Sequence, residues 1–364
     1  MISTKNKNPQ PDTFSLTDDC WFSNRLIHWY TDNKRQLPWR ETTDPYTIWI
    51  SEIILQQTRV NQGYDYFLRF TERFPNIQAL AQADEDEVMK YWQGLGYYSR
   101  ARNLHAAAKS MNGTFPDTYE GVLNLKGVGE YTAAAICSIS YGMPYPVVDG
   151  NVFRVLSRYL GIETPIDSGR GKKEITQWAN HLMDKTQPAL FNQAIMEFGA
   201  LLCTPKLPGC AHCPLSARCV ALAGHLVGTL PIKQHKTKTT NRYFNYLYVN
   251  AGADTFVRKR TENDIWKNLF EIPLIETPAP ISEEELIALP EFQCSIAEGE
   301  SPVIKIALQQ VKHVLSHRVI YANFYEVTLP EATRSFSAFK RIKKEEIDRY
   351  AISRLVQLFL EKRV

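Results

Sequence analysis

Apolar residues recur at helical spacing through the first two thirds of the chain. Between residues 21 and 33 they lie on one face of a helix: Phe22, Leu26, Ile27, Trp29 and Tyr30. Similar spacing predicts further helices over residues 45–60, 64–73, 84–92, 100–111, 119–125, 131–141, 151–160, 172–185 and 189–202. Asp44 followed by Pro45 is a typical helix start, and glycines and prolines separate the segments. We therefore expect residues 21–229 to be mainly helical.

The pattern changes near residue 230. Residues 230–242 are polar and basic and have no apolar period, which is typical of an interdomain linker. Beyond residue 242, strand-like segments predict a hairpin over 243–250 and 255–260, and then two further strands over 302–311 and 318–327. An amphipathic helix is predicted over 343–362. Residues 243–364 are therefore expected to form a small α+β domain.

Length and charge limit the class of protein. The chain has 364 residues, enough for two to three domains, and a net charge of only +3. Any DNA-binding surface must therefore come from local clustering of basic groups. No apolar run approaches the roughly 20 residues that span a bilayer, so we expect no membrane association. Residues 1–20 are polar and lack a secretory signal, which predicts a disordered tail on a bacterial cytoplasmic, nucleoid-associated protein.

Four of the seven cysteines lie within 17 residues: Cys203, Cys210, Cys213 and Cys219. Four thiolates in one short loop can bind a [4Fe–4S] cluster or a zinc ion. The spacing has a single C-x2-C pair flanked by single cysteines, which favours iron–sulfur over the two separated pairs of a zinc ribbon. Four unrelated cysteines are the remaining alternative, which the clustering disfavours. Cys137, in an Ala- and Ile-rich stretch, is expected to be a buried packing residue.

A turn containing Gly127 and Gly129 separates two predicted helices. Glycines at such a turn let backbone amides approach a phosphate, and the dipole of the following helix favours the same anion. This arrangement could hold a DNA backbone without reading its sequence. An ordinary turn between helices is an equally good interpretation of these residues alone.

Two carboxylates have surroundings that suggest chemistry. Asp149 precedes a predicted helix, where an acidic residue is most often a helix cap, and the same amides and dipole would keep it ionised. Glu52 lies among apolar residues on a predicted helix. Either it occupies the solvated face, or it points into a pocket where desolvation raises its pKa. In the second case the pair provides the acid and the anion that glycosidic cleavage requires.

Seven ordered segments carry a family resemblance: LPWR (37–40), SEIILQQTRV (51–60), GLGYYSRARNLH (94–105), LKGVGEYTAA (125–134), VVDGNVFRVLSR (147–158), FNQAIMEFGALLC (191–203) and the cysteine loop. They resemble the MutY family of adenine DNA glycosylases, in the helix-hairpin-helix superfamily, densely over residues 21–230 and loosely beyond.

The resemblance implies a multi-domain fold and an activity. The expected domains are a six-helix barrel over about 45–150, an iron–sulfur helical domain from 21–44 and 151–229, and a Nudix-like α+β domain over 243–364. The expected enzyme is a monomer with a [4Fe–4S] cluster. It would flip adenine paired with 8-oxoguanine or guanine out of double-stranded DNA and remove it for base excision repair.

The resemblance also implies catalytic roles. Glu52 protonates adenine N7, and Asp149 stabilises the oxocarbenium-like sugar, with Asn151 orienting Asp149. Tyr131 occupies the position at which related bifunctional enzymes carry a Schiff-base lysine. A phenol cannot form an imine, so we expect hydrolysis without strong lyase activity.

Further residues match DNA-contacting positions of the family. Gln57 and Tyr97, or Tyr98 in place of Tyr97, are expected to wedge into the duplex and fill the space left by the adenine. The matched residues that line the adenine pocket are Arg35, Leu37, Trp39, Arg40 and Glu197. Residue types alone favour a surface glutamine, a tyrosine packed on its own domain and a core tryptophan.

The C-terminal part matches a Nudix-like pattern in RKRTENDIWKNLFEIP, residues 258–273, but an R-E-x-x-E-E array for magnesium is not found. The run from Glu283 to Glu285 is instead typical of a solvated helix start. The domain is therefore expected to recognise rather than hydrolyse. The family reads 8-oxoguanine with a Phe-Ser-His loop, which corresponds here to Leu315, Ser316 and His317. An ordinary loop between strands is the alternative.

Two other functions remain open from the sequence. An endonuclease III-like enzyme for oxidised pyrimidines would share the helical region and the cysteine loop. It should carry lysine in place of Tyr131 and have no Nudix-like domain. A non-catalytic DNA-binding module with a structural or redox cluster is disfavoured by the presence of both Glu52 and Asp149.

Overall fold

The computed structural model describes residues 19–235 and 239–363, and the part before residue 236 is helical. The helices are α1 (Asp19–Asn33), α2 (Pro45–Leu55), α3 (Val60–Arg73), α4 (Ile77–Gln82), α5 (Glu85–Trp92), α6 (Ser99–Ser110), α7 (Tyr119–Leu123), α8 (Glu130–Tyr141), α9 (Gly150–Leu160), α10 (Gly169–Leu182), α11 (Pro188–Leu201) and α12 (Val220–Ala223). The predicted helices are confirmed except at their ends, whereas α4 and α12 were not predicted. The predicted disordered tail lies outside the described residues up to residue 18, and it is wrong for Asp19 and Cys20, which begin α1.

Helix α2 is shorter than its apolar pattern indicates. Its start is as predicted: the Asp44 carboxylate accepts a hydrogen bond from Thr47 N at 2.8 Å, and Pro45 is the first helical residue. The pattern continues to Val60, but the helix ends at Leu55. Gln57 has φ of 58°, a left-handed conformation that cannot continue an α-helix.

The described residues form two compact units. The first contains residues up to 56 together with 113–235, and therefore α1, α2 and α7–α12. Its core brings together buried side chains of α1, α8, α9 and α11, including Phe22, Leu26, Ala134, Val155 and Phe198. This packing fixes the N-terminal ends of α8 and α9 within one unit.

The second unit contains residues 57–112 and 239–363. Helix α6 contacts the C-terminal residues through Arg102 Nη1, which donates to the carbonyl of Lys267 at 2.7 Å. Lys259 also forms an ion pair with Asp86 of α5. Polar contacts thus hold residues 57–112 to the C-terminal part.

The C-terminal part combines a mixed sheet with helices, which confirms the predicted α+β class. Its strands are β1 (Thr240–Ala251), β2 (Asp254–Lys259), β3 (Phe270–Glu271), β4 (Leu274–Thr277), β5 (Val303–Val314), β6 (Arg318–Leu329) and β7 (Lys340–Lys343). They follow the order β3-β2-β1-β6-β5, with β4 on β1 and β7 on β2. The predicted β1–β2 hairpin is confirmed, with Gly252 at φ of 61° in its turn. β1 and β6 are parallel over their whole length.

Helices cover both faces of this sheet. They are α13 (Glu283–Ala288), α14 (Pro290–Ser295) and α15 (Arg354–Glu361). The Glu283 run begins α13 behind a capping box of Ser282 and Glu285, which confirms the predicted helix start. The single terminal helix predicted over 343–362 is wrong in its first half. Lys344–Arg349 is a 3-10 segment, and Ile352 then pairs with Phe270 as an isolated bridge, which requires extended backbone before α15.

No helix in the described ranges is both long enough and apolar enough to cross a membrane.

Candidate active site

Glu52 lies on α2, where Tyr46 and all residues from Ile48 to Ile54 are buried, and its own exposed fraction is 9%. Burial raises the pKa of the Glu52 carboxyl to about 7, a hydrogen bond with Tyr131 opposes the rise, and the charge of Asp149 adds to it. The alternative that Glu52 occupies a solvated face is therefore wrong. The side chain is a buried acid that can hold a proton near neutral pH.

Asp149 caps α9 with its side chain. Its Oδ1 accepts hydrogen bonds from the amides of Asn151 at 2.9 Å and Val152 at 2.8 Å, and its Oδ2 accepts one from Asn151 Nδ2 at 2.7 Å. Burial nevertheless raises the pKa of Asp149, although these hydrogen bonds and the charge of Arg154 oppose the rise. Desolvation is therefore the larger effect on the pKa of Asp149, while the capping hydrogen bonds act in the direction expected from the sequence, and the ionised state of Asp149 stays a prediction.

Tyr131, in the first turn of α8, lies between the two carboxylates. Burial raises the pKa of the Tyr131 phenol, and the charges of Glu52 and Asp149 raise it further. The phenol donates a hydrogen bond to Met196 Sδ at 3.3 Å and also contacts Glu52. Three groups from α2, α8 and α9 therefore meet in the first compact unit, although they are far apart in the chain.

A second cluster of charged groups consists of Glu197 on α11 and two arginines, Arg35 and Arg40. Each guanidinium group donates two hydrogen bonds to the Glu197 carboxylate: Arg35 from Nε and Nη2 at 2.9 and 2.5 Å, and Arg40 from Nη1 and Nη2 at 2.9 and 2.7 Å. Burial would raise the pKa of Glu197, but these hydrogen bonds outweigh it and lower the pKa to about 2. The charge of Arg40 also acts on Glu52, which links this cluster to the buried acid.

The remaining predicted pocket residues are apolar and buried. Leu37 and Trp39 are 6% and 7% exposed, and both lie in the short segment that carries Arg40. Their role in a nucleobase pocket stays a prediction.

Arg154 holds the Asp149 end of α9 and was missed in the sequence. Its Nη2 donates to Asn151 Oδ1 at 2.8 Å and to the carbonyl of Gly199 at 2.6 Å, while Nε donates to the carbonyl of Cys203 at 2.7 Å. Asn151 is thus fixed from both sides, by Asp149 and by Arg154. The signal was present, since residues three apart on a helix are neighbours.

The four clustered cysteines line one cavity, together with the buried Arg158. Arg158 Nη1 donates to Cys203 Sγ at 3.4 Å and to the carbonyl of Thr204 at 2.8 Å. Lys206 and Arg218 are exposed on the same loop. Across residues 19–235 and 239–363, no group of three or more His, Cys, Asp or Glu side chains is arranged to hold a single metal ion. Cys137 is fully buried, as predicted.

The predicted glycine turn joins α7 to α8. Gly127 has φ of 83°, which a residue with a side chain rarely adopts. Gly129 differs, because its φ is −108° and a Cβ built there would meet nothing within 4 Å. Both glycines are exposed. The positive φ therefore explains why residue 127 is a glycine. At residue 129 neither the backbone conformation nor a neighbouring atom requires a glycine, and the space beside it is free.

Gln57 and Tyr97, in the second unit, both have left-handed backbone conformations, with φ of 58° and 46°. Both side chains are exposed, Tyr97 by 48%, whereas Tyr98 is 5% exposed and its hydroxyl accepts a hydrogen bond from Gly94 N at 3.2 Å. The choice left open between the two tyrosines therefore favours Tyr97. Such strained backbone in non-glycine residues concentrates at functional sites.

Arg100 supports this loop and was also missed in the sequence. Its Nη2 donates to the carbonyl of Gly96 at 3.2 Å and contacts Thr58 Oγ1 at 3.4 Å, and its guanidinium lies 5.5 Å from the centre of the Tyr97 ring. One buried side chain thus connects the segments that carry Gln57 and Tyr97.

Ser316 and His317 are exposed on the loop between β5 and β6. The Tyr97 hydroxyl hydrogen-bonds Ser316 Oγ, so two residues singled out for separate reasons are in contact. They line a cavity of about 550 Å³ in the second unit, together with Tyr98, Arg102, Asp264, Trp266 and Leu315. Its size falls within the usual range for binding pockets.

Comparison with known families gives two matches. Residues 50–181 match the model of the HhH-GPD superfamily, described as base excision DNA repair proteins, and residues 245–362 match the NUDIX domain.

Relatives of known activity extend over most of the chain. The adenine DNA glycosylase of Buchnera aphidicola subsp. Acyrthosiphon pisum is 34% identical over 320 residues, which cover 86% of this chain and 89% of that protein. The adenine DNA glycosylase of Mus musculus is 42% identical over 219 residues, covering 57% of this chain and 42% of that protein.

Solved structures resemble the helical region. A thermostable thymine-DNA glycosylase has a TM-score of 0.53 and 27% identity, covering 57% of this chain and 98% of its own. Endonuclease III, in a non-covalent complex with DNA, has a TM-score of 0.51 and 20% identity, covering 59% of this chain and 99% of its own, which supports the fold alone.

Proposed function

The chain belongs to the adenine DNA glycosylases of the helix-hairpin-helix base excision repair superfamily, and from that premise we propose that it removes adenine paired with 8-oxoguanine or guanine by hydrolysis alone. The observation that carries the proposal is the meeting of Glu52 and Asp149 beside Tyr131. The relatives act on adenine, and the choice of mispair and the absence of lyase chemistry are our inference for this chain.

The proposed reaction begins with Glu52 as general acid. With a pKa of about 7, Glu52 is substantially protonated at neutral pH and donates its proton to adenine N7. The electron pair of the C1′–N9 bond then leaves with the base. The negative charge of Asp149 stabilises the cationic sugar, and water adds to C1′ after losing a proton to a carboxylate. Tyr131 has no amine with which to form an imine, so strand cleavage does not accompany base release.

DNA is engaged at three places in this proposal. The amides at Gly127 and Gly129 contact backbone phosphates at the start of α8. Gln57 and Tyr97 enter the stack as the adenine leaves it. The first unit receives the adenine, and the residues around Glu197 position it.

The C-terminal domain is proposed to read the opposite base. The contact of Tyr97 with Ser316 supports a shared role, since a wedge and a reader of the orphaned base would act at the same base pair. Leu315, in place of the family phenylalanine, retains an apolar contact without aromatic stacking.

The four cysteines are proposed to hold a [4Fe–4S] cluster, and the donor set fits because all four thiols line one cavity with a buried arginine beside Cys203. Cys203, Cys210, Cys213 and Cys219 would supply the four thiolates, and a bound cluster would cross-link the segment from 203 to 219. The chain's own contribution is the link from Cys203 to Asn151 through Arg154.

We propose a monomer that acts on the DNA of the bacterial nucleoid.

The test is single-turnover excision on duplexes that pair adenine with 8-oxoguanine, guanine or thymine. Wild type is expected to release adenine fastest opposite 8-oxoguanine and slowest opposite thymine. Glu52→Gln should lose at least about 100-fold in rate, within the usual worth of a general acid, while binding of the duplex persists. Normal cutting by Glu52→Gln, or excision of oxidised pyrimidines instead of adenine, would refute the proposal.

A further inference from the structure

The C-terminal sheet carries a second concave site that the proposed function does not use. In the parallel register of β1 and β6, Tyr243 lies beside Tyr321 and Asn245 beside Asn323, so all four side chains belong to one face. The two tyrosine rings are stacked, with centroids 5.6 Å apart and planes 18° from parallel. A stacked pair of aromatic rings therefore lies next to a pair of amides.

The same face is apolar and covered farther along these strands. The residues that continue it pack against Leu286 of α13 and Phe292 of α14; they are Leu247, Val249, Tyr325 and Val327. Packing alone does not explain why Asn245 and Asn323 occupy this face, because an amide that is removed from water must be hydrogen-bonded. Asn245, which is 2% exposed, donates to the carbonyl of Ile275 at 3.3 Å, and Asn323 donates to Asn245 at 3.3 Å.

A bulge in β5 completes the site. The register of β5 on β6 shifts between Leu308 and Val311, and Gln310, at φ of 50°, donates its backbone amide to Asn323 Oδ1 at 2.9 Å. Gln309 and Gln310 are exposed and line a cavity of about 270 Å³ together with the tyrosine pair and Ile281. Bulges and left-handed backbone in non-glycine residues are common beside functional sites.

We propose that this cavity binds a nucleobase, presented either by a free nucleoside or by an unstacked nucleotide of DNA. Stacking on aromatic side chains is the general means by which proteins hold unpaired bases. The exposed side-chain amides of Gln309 and Gln310 offer a donor and an acceptor side by side, which matches the edge of a base. None of the described residues lining the cavity is charged, so the site suits a neutral ring rather than a phosphate.

The test uses the full-length protein and three single substitutions. Tyr321→Leu removes one ring of the stacked pair, and Gln309→Ala removes an exposed amide with little risk to folding. Tyr350→Leu is the matched control, because Tyr350 is a partly buried tyrosine of the same sheet domain outside the cavity. Saturation-transfer NMR measures binding of guanosine, 8-oxoguanosine, adenosine and cytidine. A short single strand containing 4-thiothymine, followed by mass spectrometry, detects a base of DNA.

We expect Tyr321→Leu to weaken nucleoside binding by about tenfold and Gln309→Ala to weaken it less, with Tyr350→Leu unchanged. Adenine excision should be unaffected in all three variants. Nucleoside binding identifies a free ligand, whereas a cross-link at Tyr243 or Tyr321 without nucleoside binding identifies DNA as the source. The proposal is overturned if neither probe binds, or if binding by Tyr321→Leu equals that of wild type.

Discussion

Glu52 and Asp149 are both carboxylic acids, but their surroundings prepare them for different work. Glu52 has apolar neighbours on its own helix, and burial dominates its pKa. Asp149 is equally shaped by burial, but three hydrogen bonds and Arg154 favour its charged form. The charge of Asp149 raises the pKa of Glu52, and the charges of Glu52 and Asp149 both raise the pKa of Tyr131. The three groups therefore titrate as a coupled set. We therefore expect the proton to reside on Glu52 and the negative charge on Asp149.

Burial of Glu52 has a consequence for stability. Its folded pKa of about 7 exceeds its ordinary value of 4.5, so the folded protein binds more protons between these pH values. The contribution of Glu52 to the free energy of unfolding is therefore fully present below about pH 4.5 and is lost as the pH rises from 4.5 through 7. Glu52→Gln, which carries no charge, should be more stable than wild type at pH 8 by on the order of 3 kcal/mol, with little difference at pH 5. Urea midpoints at both pH values measure this, and equal midpoints at pH 8 would contradict the burial argument.

Arg154 acts through Asn151 and Asp149 rather than on the substrate. Removal of its hydrogen bonds by Arg154→Gln should lower the single-turnover rate by about 10- to 100-fold and leave duplex affinity nearly unchanged. Arg154→Lys should restore part of the rate. The control is Arg158→Gln on the same helix, which loses contacts to the cysteine loop but none to Asn151. If Arg158→Gln slows excision as much as Arg154→Gln, after correction for folded protein, the effect is general and the positioning role fails.

Short elements between helices carry the DNA-contacting candidates, and here sequence patterns are least informative. The apolar spacing of residues 45–60 predicts one helix, because periodicity does not register that Gln57 adopts a positive φ. The terminal helix is misjudged for a related reason, since the pairing of Ile352 with Phe270 is a long-range contact. Helices with strong caps, such as α2 and α9, are predicted well at their starts.

The two glycines of the α7–α8 turn should behave differently when replaced by alanine. Gly127→Ala forces a side chain into a left-handed conformation and should destabilise the protein by about 1–3 kcal/mol. Gly129→Ala meets no atom within 4 Å, so its thermal midpoint should match wild type, while affinity for duplex DNA falls several-fold. Thermal unfolding and a fluorescence anisotropy titration distinguish these effects. Unaltered DNA affinity in Gly129→Ala would mean that this turn does not contact the backbone.

The loop that bears Ser316 is anchored by Asp264. Its carboxylate accepts hydrogen bonds from Arg318 Nη1 at 2.5 Å, Arg242 Nη1 at 2.9 Å and Arg260 Nη2 at 3.2 Å. Burial opposes ionisation, but these hydrogen bonds lower the pKa of Asp264 to about 2. Asp264→Asn should therefore reduce the preference for 8-oxoguanine over guanine opposite adenine by several-fold, with excision opposite guanine retained. A preserved preference would separate Asp264 from recognition of the opposite base.

At the scale of the whole molecule, contacts group the chain differently from its order. The two carboxylates come from segments almost a hundred residues apart, yet they meet in the first unit. Residues 57–112 lie in the chain between the two parts of the first unit, but they belong to the second unit together with the C-terminal sheet. No local sequence pattern indicates this grouping. Family motifs named Glu52, Asp149, Tyr131 and the cysteines in advance. The supporting arginines at 100, 154 and 158 were missed, because arginine is usually exposed and because each also makes contacts to distant segments that no local pattern indicates.

The pH dependence of single-turnover adenine release, measured on a duplex with adenine opposite 8-oxoguanine, tests the shared role of these two carboxylates most directly. Because the acid form of Glu52 is required, the rate should fall as the pH rises through about 7, and Glu52→Gln should lack this decline while still binding the duplex. A rate that stays constant from pH 6 to pH 9 in the wild type would contradict the account.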